Sequence, residues 1–194
     1  MLAPVHDPLA AVSAWLEEAR ERVPEPHAMT LATASATGSP SARVVLLRGI
    51  DDRGVTFFTN RSSRKGEELR ENPRAALVLH WWELGRQVRI EGAVETLSPE
   101  DSEAYWATRP RGSQIAAWAS PQSRPLADRA ELEARVAAAS ERFGDGPVPL
   151  PPFWGGYRVL PEVVELWEHR EDRLHDRVRY VLERDGWRAE RLGP

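Results

Sequence analysis

The first half of the chain is a series of short apolar runs with strand composition, and this feature constrains the fold more than any other. The runs cover 27–35, 41–50, 55–60, 75–82 and 86–97. Turn residues such as Asp51-Asp52-Arg53-Gly54 separate them. Because these strands are neighbours in sequence, we predict that they pair antiparallel, beginning with a meander, and not as parallel βαβ units.

Helical patterns flank the predicted strands. Asp7-Pro8 is typical of a helix start, and apolar residues at three- and four-residue spacing continue to about Arg22. Further helices are predicted over 62–71, 98–108 and 126–143, and the last strands over 156–169, 176–182 and 187–192. We therefore predict a mainly β (α+β) class, with about seven strands and three or four helices. These form one domain over 1–194, an antiparallel barrel with helices packed outside.

Composition excludes several classes of protein. The net charge of −4 argues against nucleic acid as a partner, and no apolar run approaches the length of a membrane span. The chain has no cysteine, which excludes thiolate metal sites and a cysteine nucleophile. The first ten residues lack the basic and apolar regions of a secretory signal, so we expect a cytoplasmic protein.

Common catalytic motifs are missing as well. The sequence contains no GxGxxG, GxxxxGK[ST], HExxH or GxSxG pattern. Its five histidines are scattered without the spacing of a metal site, so no metal is expected. The S-x-x-K pattern of Ser62 and Lys65 lacks the accompanying motifs of a serine acylase.

Cations and hydroxyl residues are grouped at the ends of apolar strands. Arg43 and Arg48 bracket one such strand, and Thr59, Arg64 and Lys65 lie where another strand gives way to a helix. Hydroxyls, cations and helix N-terminal amides are the groups that hold a phosphate monoester. The alternative is that Arg64 and Lys65 form a solvated helix face.

A second group consists of Tyr105, Arg109 and Ser113. The spacing places the phenol and the guanidinium on the same side of a helix, with the serine just past its end. Together they can hold a second phosphate. The alternative is a core tyrosine beside an arginine that caps the helix C-terminus.

A third group lies near the C-terminus. Arg173, His175 and Arg177 alternate along the chain, which places two guanidinium groups and an imidazole on one side of an extended segment. Trp167 precedes them at a strand end, and Gln122 lies in an earlier loop. The alternative for this group is a salt-bridged edge strand.

Taken in order, these motifs resemble the pyridoxamine 5′-phosphate oxidase family, FMN enzymes of vitamin B6 metabolism. The motifs are RVVLLR (43–48), FFTN (57–60), SRKG (63–66), RQVRIEG (86–92), YWATRPRGSQIAAWASPQS (105–123), PPFWGGYRV (151–159) and RLHDR (173–177). The resemblance covers nearly the whole chain. It implies an FMN-binding split β-barrel, a Greek-key antiparallel barrel. It also implies a homodimer that binds two FMN molecules between its subunits, with a dimerisation segment from about residue 150 to 194.

The resemblance also implies roles for individual residues. FMN contacts fall on Arg43, Val44, Arg48, Phe58, Thr59, Arg64, Lys65, Gln87, Gln122, Ser123, Trp167 and Arg177. Substrate contacts fall on Arg48, Tyr105, Arg109, Ser113, Arg173 and His175, of which the last two are the catalytic candidates.

The implied reaction is oxidation of pyridoxamine 5′-phosphate or pyridoxine 5′-phosphate to pyridoxal 5′-phosphate, which would place the enzyme in EC class 1.4.3. Hydride passes to flavin N5, and O2 is reduced to H2O2. Two alternatives stay open. One is a phenazine-biosynthesis-type FMN oxidase that acts on a reduced tricyclic substrate, and the other is a flavin- or pyridoxal phosphate-binding protein with little turnover.

Three features depart from the family pattern. Arg48 stands where Lys is usual, and Phe58 stands where Tyr is common. Only six residues precede Asp7, fewer than in the arm that covers the substrate in many members. We expect these differences to bear on the choice of substrate more than on the fold or the cofactor.

Overall fold

A computed structural model describes residues 1–194. Five α-helices are α1 (Pro8–Arg22), α2 (Arg64–Glu71), α3 (Pro99–Thr108), α4 (Arg111–Ala119) and α5 (Arg129–Phe143). Nine strands are β1 (Ala28–Ala34), β2 (Pro40–Leu46), β3 (Gly49–Asp51), β4 (Gly54–Asn60), β5 (Arg74–Trp81), β6 (Arg86–Thr96), β7 (Trp154–Glu168), β8 (Asp176–Glu183) and β9 (Gly186–Arg191). Short 3₁₀ turns cover Trp82–Leu84 and Glu171–Arg173.

The nine strands form one antiparallel sheet that curls into a split barrel. The hydrogen-bonded order is β2-β1-β5-β6-β7-β4-β3, and β8 and β9 extend the sheet from β7. The five helices lie around it. The predicted mainly β class, with a split barrel and flanking helices, is confirmed. None of the five helices combines the length and the apolar composition that a membrane-spanning helix needs.

The predicted strand over 41–50 is two strands with a corner between them. At this corner the Leu47 amide donates to the His27 carbonyl (2.9 Å), next to β1. The Arg48 amide donates instead to the Thr56 carbonyl of β4 (2.9 Å). The chain therefore changes its pairing partner within one apolar run. The predicted meander is wrong for the same reason, since β2 pairs with β1, and β1 pairs next with β5.

Strand β7 changes partner as well. Its first half, to Val159, pairs with β4, and its second half, from Val163, pairs with β8. On its other side, β7 pairs with the full length of β6, and β6 has a bulge between Glu91 and Gly92. A Cβ atom on Gly92 would lie 1.9 Å from the Leu160 carbonyl oxygen, so only glycine fits this crossing. One 15-residue strand thus joins two parts of the sheet.

The core follows from the alternation of the strands. Inward residues such as Phe57, Trp81 and Tyr180 are almost fully buried, and the apolar face of α1 covers one end of this core. A smaller cluster around Trp106 and Trp154 packs below α3 and α4. Burial of these aromatic side chains fixes the position of both helices against β7.

Helix α4 is the element that sequence analysis missed. It begins after Pro110, where the sequence predicts only the end of α3, and Ser113 lies in its first turn, not beyond a helix. The helix has only nine residues and no side-chain N-cap, and proline and glycine at positions 110 and 112 are typical of a helix end, so the local signals indicate a stop where α4 begins. The structure therefore has five helices and nine strands, more than the predicted numbers.

Candidate active site

An open cavity of about 830 Å³ lies between β2, β4, α2, α3 and α4. Eighteen residues line it: Val44, Val45, Leu46, Arg48, Phe58, Thr59, Asn60, Lys65, Tyr105, Thr108, Arg109, Pro110, Ser113, Ala116, Ala117, Ser120, Gln122 and Trp154. Arg48, Lys65 and Arg109 are cations, and no lining residue is acidic. Nine residues of the sequence-predicted site line this cavity: Val44, Arg48, Phe58, Thr59, Lys65, Tyr105, Arg109, Ser113 and Gln122.

One side of the cavity is built around Lys65 in the first turn of α2. Its Nζ donates to Gln122 Oε1 (3.0 Å) and to the hydroxyl oxygens of Thr59 and Ser63 (3.3 Å each). Burial, with a smaller effect of nearby Arg43, lowers the pKa of Lys65 to about 8. Since Lys65 has no carboxylate partner, a bound anion is the group that would compensate its charge.

The other side is built around Arg109, directly after α3. Its Nη2 donates to the Ser113 carbonyl oxygen (3.1 Å), whereas its buried Nη1 has no hydrogen-bond partner. The guanidinium lies 4.6 Å from the Trp154 ring centre. Burial, together with nearby Arg48, lowers the pKa of Arg109. A buried donor without an acceptor at a cavity wall is typical of a site that an anion completes.

Aromatic rings form the floor between these two sides. Phe58 stacks on Tyr105 with ring centres 4.0 Å apart, and the Trp154 ring centre lies 5.6 Å from Phe58 and 6.1 Å from Tyr105 in a nearly parallel plane. The Arg48 guanidinium lies 5.8 Å from the Tyr105 ring centre. This floor gives the cavity an apolar surface on which a planar ligand can pack.

Two predicted cofactor ligands lie beside the cavity and are held by a carboxylate that the sequence analysis did not identify. Glu68 of α2 is 5% exposed. Its Oε1 accepts from Arg64 Nε (2.8 Å), and its Oε2 accepts from Thr33 (2.5 Å), Ser41 (2.6 Å) and Arg43 (3.3 Å). Burial alone would raise the pKa of Glu68, but these four hydrogen bonds together lower it to about 2.

The remaining predicted residues, apart from Ser123 in the exposed loop after α4, lie at the other end of β7. Gln87 is opposite Trp167, and Trp167 is opposite Arg177, so the three stand side by side on β6, β7 and β8. The Trp167 and His175 ring centres are 4.6 Å apart. With Arg173, we call Gln87, Trp167, His175 and Arg177 the strand-end cluster.

The loop that carries Arg173 differs from the prediction. Asp172 and Arg173 have φ angles of 53° and 62°, in the left-handed region, and β8 begins only at Asp176. Arg173, His175 and Arg177 therefore do not share one extended segment. Arg177 Nε donates to the buried carboxylate of Glu165 (2.8 Å), as the salt-bridge alternative expects.

The cavity and the strand-end cluster occupy opposite ends of β7. Thr59 of the cavity is opposite Gly155, and Trp167 lies about twelve residues further along the strand. At about 3.3 Å per residue, the two positions are roughly 40 Å apart along the chain. Within one chain the predicted site residues therefore form two separate groups.

The fold and the cavity together define a split β-barrel with a cationic site suited to a small anionic ligand. Comparison with known proteins agrees with this class. Residues 16–143 match the family model described as pyridoxamine 5′-phosphate oxidase, and residues 154–194 match the pyridoxine 5′-phosphate oxidase C-terminal dimerisation region.

A Rubrobacter xylanophilus protein named pyridoxine/pyridoxamine 5′-phosphate oxidase is 56% identical over 189 residues, which cover 97% of this chain and 87% of that protein. The chain therefore belongs to the pyridoxamine 5′-phosphate oxidase family, a family of oxidoreductases for which a flavin is the expected cofactor.

Two solved structures are similar over almost the whole chain. PhzG from Burkholderia lata, in complex with tetrahydrophenazine-1-carboxylic acid, has a TM-score of 0.93 and 38% identity, and the match covers 98% of this chain and 94% of that one. A pyridoxamine 5′-phosphate oxidase-related, FMN-binding protein of Nostoc punctiforme has a TM-score of 0.75 and 20% identity, with both chains fully covered. The second likeness supports the fold alone.

Proposed function

We propose that the protein is an FMN-dependent oxidase of EC class 1.4.3 that converts pyridoxamine 5′-phosphate or pyridoxine 5′-phosphate to pyridoxal 5′-phosphate. The observation that carries the proposal is the cavity with three cations and no acidic residue. Buried Lys65 and half-buried Arg109 lie on two sides of this cavity, which suits two phosphate groups, one of the cofactor and one of the substrate.

The residues around Lys65 fit the phosphate of FMN. Lys65 is a buried cation without a carboxylate partner, and the first turn of α2 adds backbone amides to the same side. Thr59 and Gln122 would hold the ammonium group in place, and Arg43 and Arg64 would approach the phosphate while Glu68 orients them.

The residues around Arg109 fit the phosphate of the substrate. The free Nη1 of Arg109 lacks an acceptor, and Tyr105 and Ser113 supply hydroxyl donors on the same wall. Arg48 makes no ion pair and lies near both Tyr105 and Arg109, so it adds a second cation on the side of the substrate phosphate.

FMN, when bound, would supply the acceptor for two electrons from the substrate carbon, with O2 as the final acceptor, which is reduced to H2O2. For the alcohol substrate this oxidation gives the aldehyde directly, whereas the amine substrate also consumes one water and releases ammonia. The protein contributes position and electrostatics. Tyr105, Arg109 and Ser113 anchor the phosphate, and the aromatic floor excludes water from one face of the cavity. Arg173 and His175 would orient the substrate ring through their N–H donors.

We further propose that the strand-end cluster of one subunit completes the cavity of its partner in a homodimer. The separation of the two groups along β7 requires a second chain if all predicted residues act at one site. Val44 at the rim is 65% exposed on the edge strand β2, which leaves an apolar surface for a partner to cover. The match of residues 154–194 to a dimerisation region supports the same assembly.

Complementation between two impaired variants, assayed at a substrate concentration far below KM, tests the shared site. Arg109→Ala removes a cavity residue, and His175→Ala removes a strand-end residue. When the two are mixed and allowed to exchange subunits, about half of the dimers are mixed, and each mixed dimer has one intact site. We expect about a quarter of the wild-type activity to return. No recovery, despite subunit exchange shown by mass spectrometry, would contradict the shared site.

The reaction is tested by an aerobic assay of the FMN-loaded protein with each phosphorylated vitamer, following aldehyde and H2O2. Equal amounts of pyridoxal 5′-phosphate and H2O2 are expected. FMN binding without turnover would contradict the oxidase proposal and favour a flavin-binding protein.

A second candidate is oxidation of a reduced tricyclic substrate, because the PhzG structure is so similar. This chain is less similar to PhzG (38% identity) than to the Rubrobacter oxidase (56% identity). The unpartnered Arg109 donor also favours a phosphorylated substrate. Turnover of a reduced phenazine carboxylate, with none of the phosphorylated vitamers, would reverse this ranking.

A further inference from the structure

The loop between β7 and β8 presents the two catalytic candidates from a strained backbone. It covers residues 169–175, and two consecutive residues other than glycine, Asp172 and Arg173, adopt left-handed φ angles. Such conformations persist only where surrounding contacts hold them. A group that fixes this loop therefore controls where Arg173 and His175 lie.

The two ends of the loop carry carboxylates that would repel each other without a cation between them. Glu168 closes β7 and Asp176 opens β8, and the two carboxylates are directly opposite in the antiparallel register. Like charges at opposed positions of a strand pair destabilise the pairing. Here they stand at the base of the loop that must be held in place.

Arg170 bridges both carboxylates. Its Nη2 donates to Glu168 Oε2 (2.6 Å), and its Nε donates to Asp176 Oδ2 (2.8 Å). One planar guanidinium thus gives the opposed carboxylates two charge-assisted hydrogen bonds, which a single ammonium group cannot reproduce with the same geometry. Glu168 also lies 3.6 Å from Arg86 Nε, and Asp176 also accepts from the Leu2 amide (3.1 Å), but Arg170 is the group that contacts both carboxylates.

The backbone amide of Arg170 also forms a hydrogen bond with His175, one of the two catalytic candidates. The Arg170 amide donates to His175 Nδ1 (3.2 Å). An amide N–H can only donate, so Nδ1 accepts, and the neutral imidazole carries its proton on Nε2. Nε2 is then the nitrogen that can donate to a ligand.

We propose that Arg170 is a positioning residue for His175 and Arg173. Its side chain clamps the base of the loop, and its amide fixes the imidazole as the Nε2–H tautomer. This inference rests on the proposed function for its catalytic consequence, whereas the tautomer and the loop geometry are properties of the chain itself.

The test compares Arg170→Ala with Arg188→Ala. Arg188 is a matched control, because it also bridges two carboxylates, Glu183 and Glu190, on the neighbouring β8–β9 hairpin, and it has similar exposure (49% against 42%). In R170A we expect kcat to fall roughly ten- to a hundredfold, since small displacements of reacting groups have effects of that size. The Kd for FMN should stay within about twofold, because the proposed phosphate ligands lie on β4 and α2, and the predicted FMN contacts Trp167 and Arg177 lie on strands outside the loop that Arg170 clamps. R188A should match the wild type.

NMR of ¹⁵N-labelled histidine supplies a readout that needs neither cofactor nor turnover. In the wild type and R188A, the two ring ¹⁵N shifts of His175 should be those of the Nε2-protonated tautomer. R170A keeps the backbone amide but loses the clamp that holds it beside Nδ1, so both shifts should move towards the fast-exchange average of the two tautomers. Arg170→Lys should give an intermediate kcat, and it carries the test if R170A does not fold. Wild-type kcat and a single tautomer in R170A would overturn the proposal. An inactive wild type with the expected tautomers would instead reject the proposed function and retain the clamp.

Discussion

The cavity and the strand-end cluster contain similar numbers of cations in opposite electrostatic settings. In the cavity, buried Lys65 and half-buried Arg109 have no carboxylate partners, and burial lowers the pKa of each. At the strand end, Arg170 and Arg177 are bonded to carboxylates, which raise their pKa values.

This difference separates two uses of positive charge. A cation bonded to a carboxylate of the same chain is already compensated and is held in a fixed position, either to stabilise the fold, as for Arg177, or beside the cavity, as for Arg43 and Arg64. A buried cation without such a partner destabilises the free protein and gains from an anionic ligand. The comparison therefore indicates that the cavity binds the anions, and that the strand end presents groups of fixed geometry. The following experiments test this distinction.

The largest effect on stability is expected at Glu68, a carboxylate that pairs with arginines at the edge of the cavity. The pKa of Glu68 is lowered from 4.5 to about 2, so its stabilising effect is complete above about pH 4.5 and is lost as the pH falls towards 2. We expect Glu68→Gln to reduce the free energy of unfolding by about 3 kcal/mol at neutral pH and by little near pH 2. Urea unfolding at fixed protein concentration measures both values. The control Glu67→Gln, whose partner Arg124 is exposed, should change stability by only a few tenths of a kcal/mol.

The next largest effect is expected on the KM for the substrate when Arg109, the cation proposed to hold the substrate phosphate, is removed. Arg109→Ala should raise KM for pyridoxamine 5′-phosphate about thirtyfold, the value of a charge-assisted hydrogen bond, with little change for unphosphorylated pyridoxamine. Steady-state kinetics with both substrates measures the difference. Arg111→Ala is the control, because Arg111 donates only to the Gly144 and Gly146 carbonyls. Equal increases for both substrates would place Arg109 outside the phosphate site.

Removal of a carboxylate from the strand end should destabilise the fold. Glu165 is 4% exposed and accepts from Arg89 and Arg177. Glu165→Gln should lower the free energy of unfolding by about 1–2 kcal/mol, because it leaves two partly buried cations beside a neutral group. Chemical denaturation measures this change. An unchanged midpoint would remove Glu165 from the groups that hold the strand-end cluster.

Removal of an unpaired cation should have the opposite sign in the FMN-free protein. Lys65→Met removes a buried charge, so the FMN-free variant should be more stable by about 1 kcal/mol, whereas the Kd for FMN should rise about tenfold. Affinity for riboflavin, which lacks the phosphate, should not change. Because the pKa of Lys65 is about 8, FMN binding to the wild type should weaken as the pH rises through 8, and binding to the variant should not. Calorimetry and fluorescence titration measure these quantities, and a less stable variant would break the comparison.

The sequence predicts local helix, strand and turn signals well, but it does not predict where a strand changes the neighbour with which it pairs. The junction of β4 and α2, with Thr59 and Lys65, is recognisable because strand, turn and helix signals follow one another within a few residues. The corner at Arg48 is hidden, since one apolar run supplies both β2 and β3 and periodicity carries no information about pairing partners.

Contacts between distant segments explain the other differences. The sequence around Glu68 indicates only a charged helix face. The fold brings Thr33, Ser41 and Arg43 into hydrogen-bonding distance of its carboxylate. The alternation of Arg173, His175 and Arg177 predicts a strand, but the clamp of Arg170 on two carboxylates permits a left-handed turn that local preferences disfavour.

The partner change within β7 has a consequence for the order of synthesis. Val55 of β4 pairs with Val159, about 100 residues later, and until β7 emerges from the ribosome the inner edge of β6 is also unpaired. A nascent chain that ends before Trp154 therefore exposes two open sheet edges, which are surfaces for aggregation. The barrel is therefore completed in one late step, when β7 pairs with β4 and β6. The speed of translation through the α5 region sets how long the nascent chain keeps these unpaired edges.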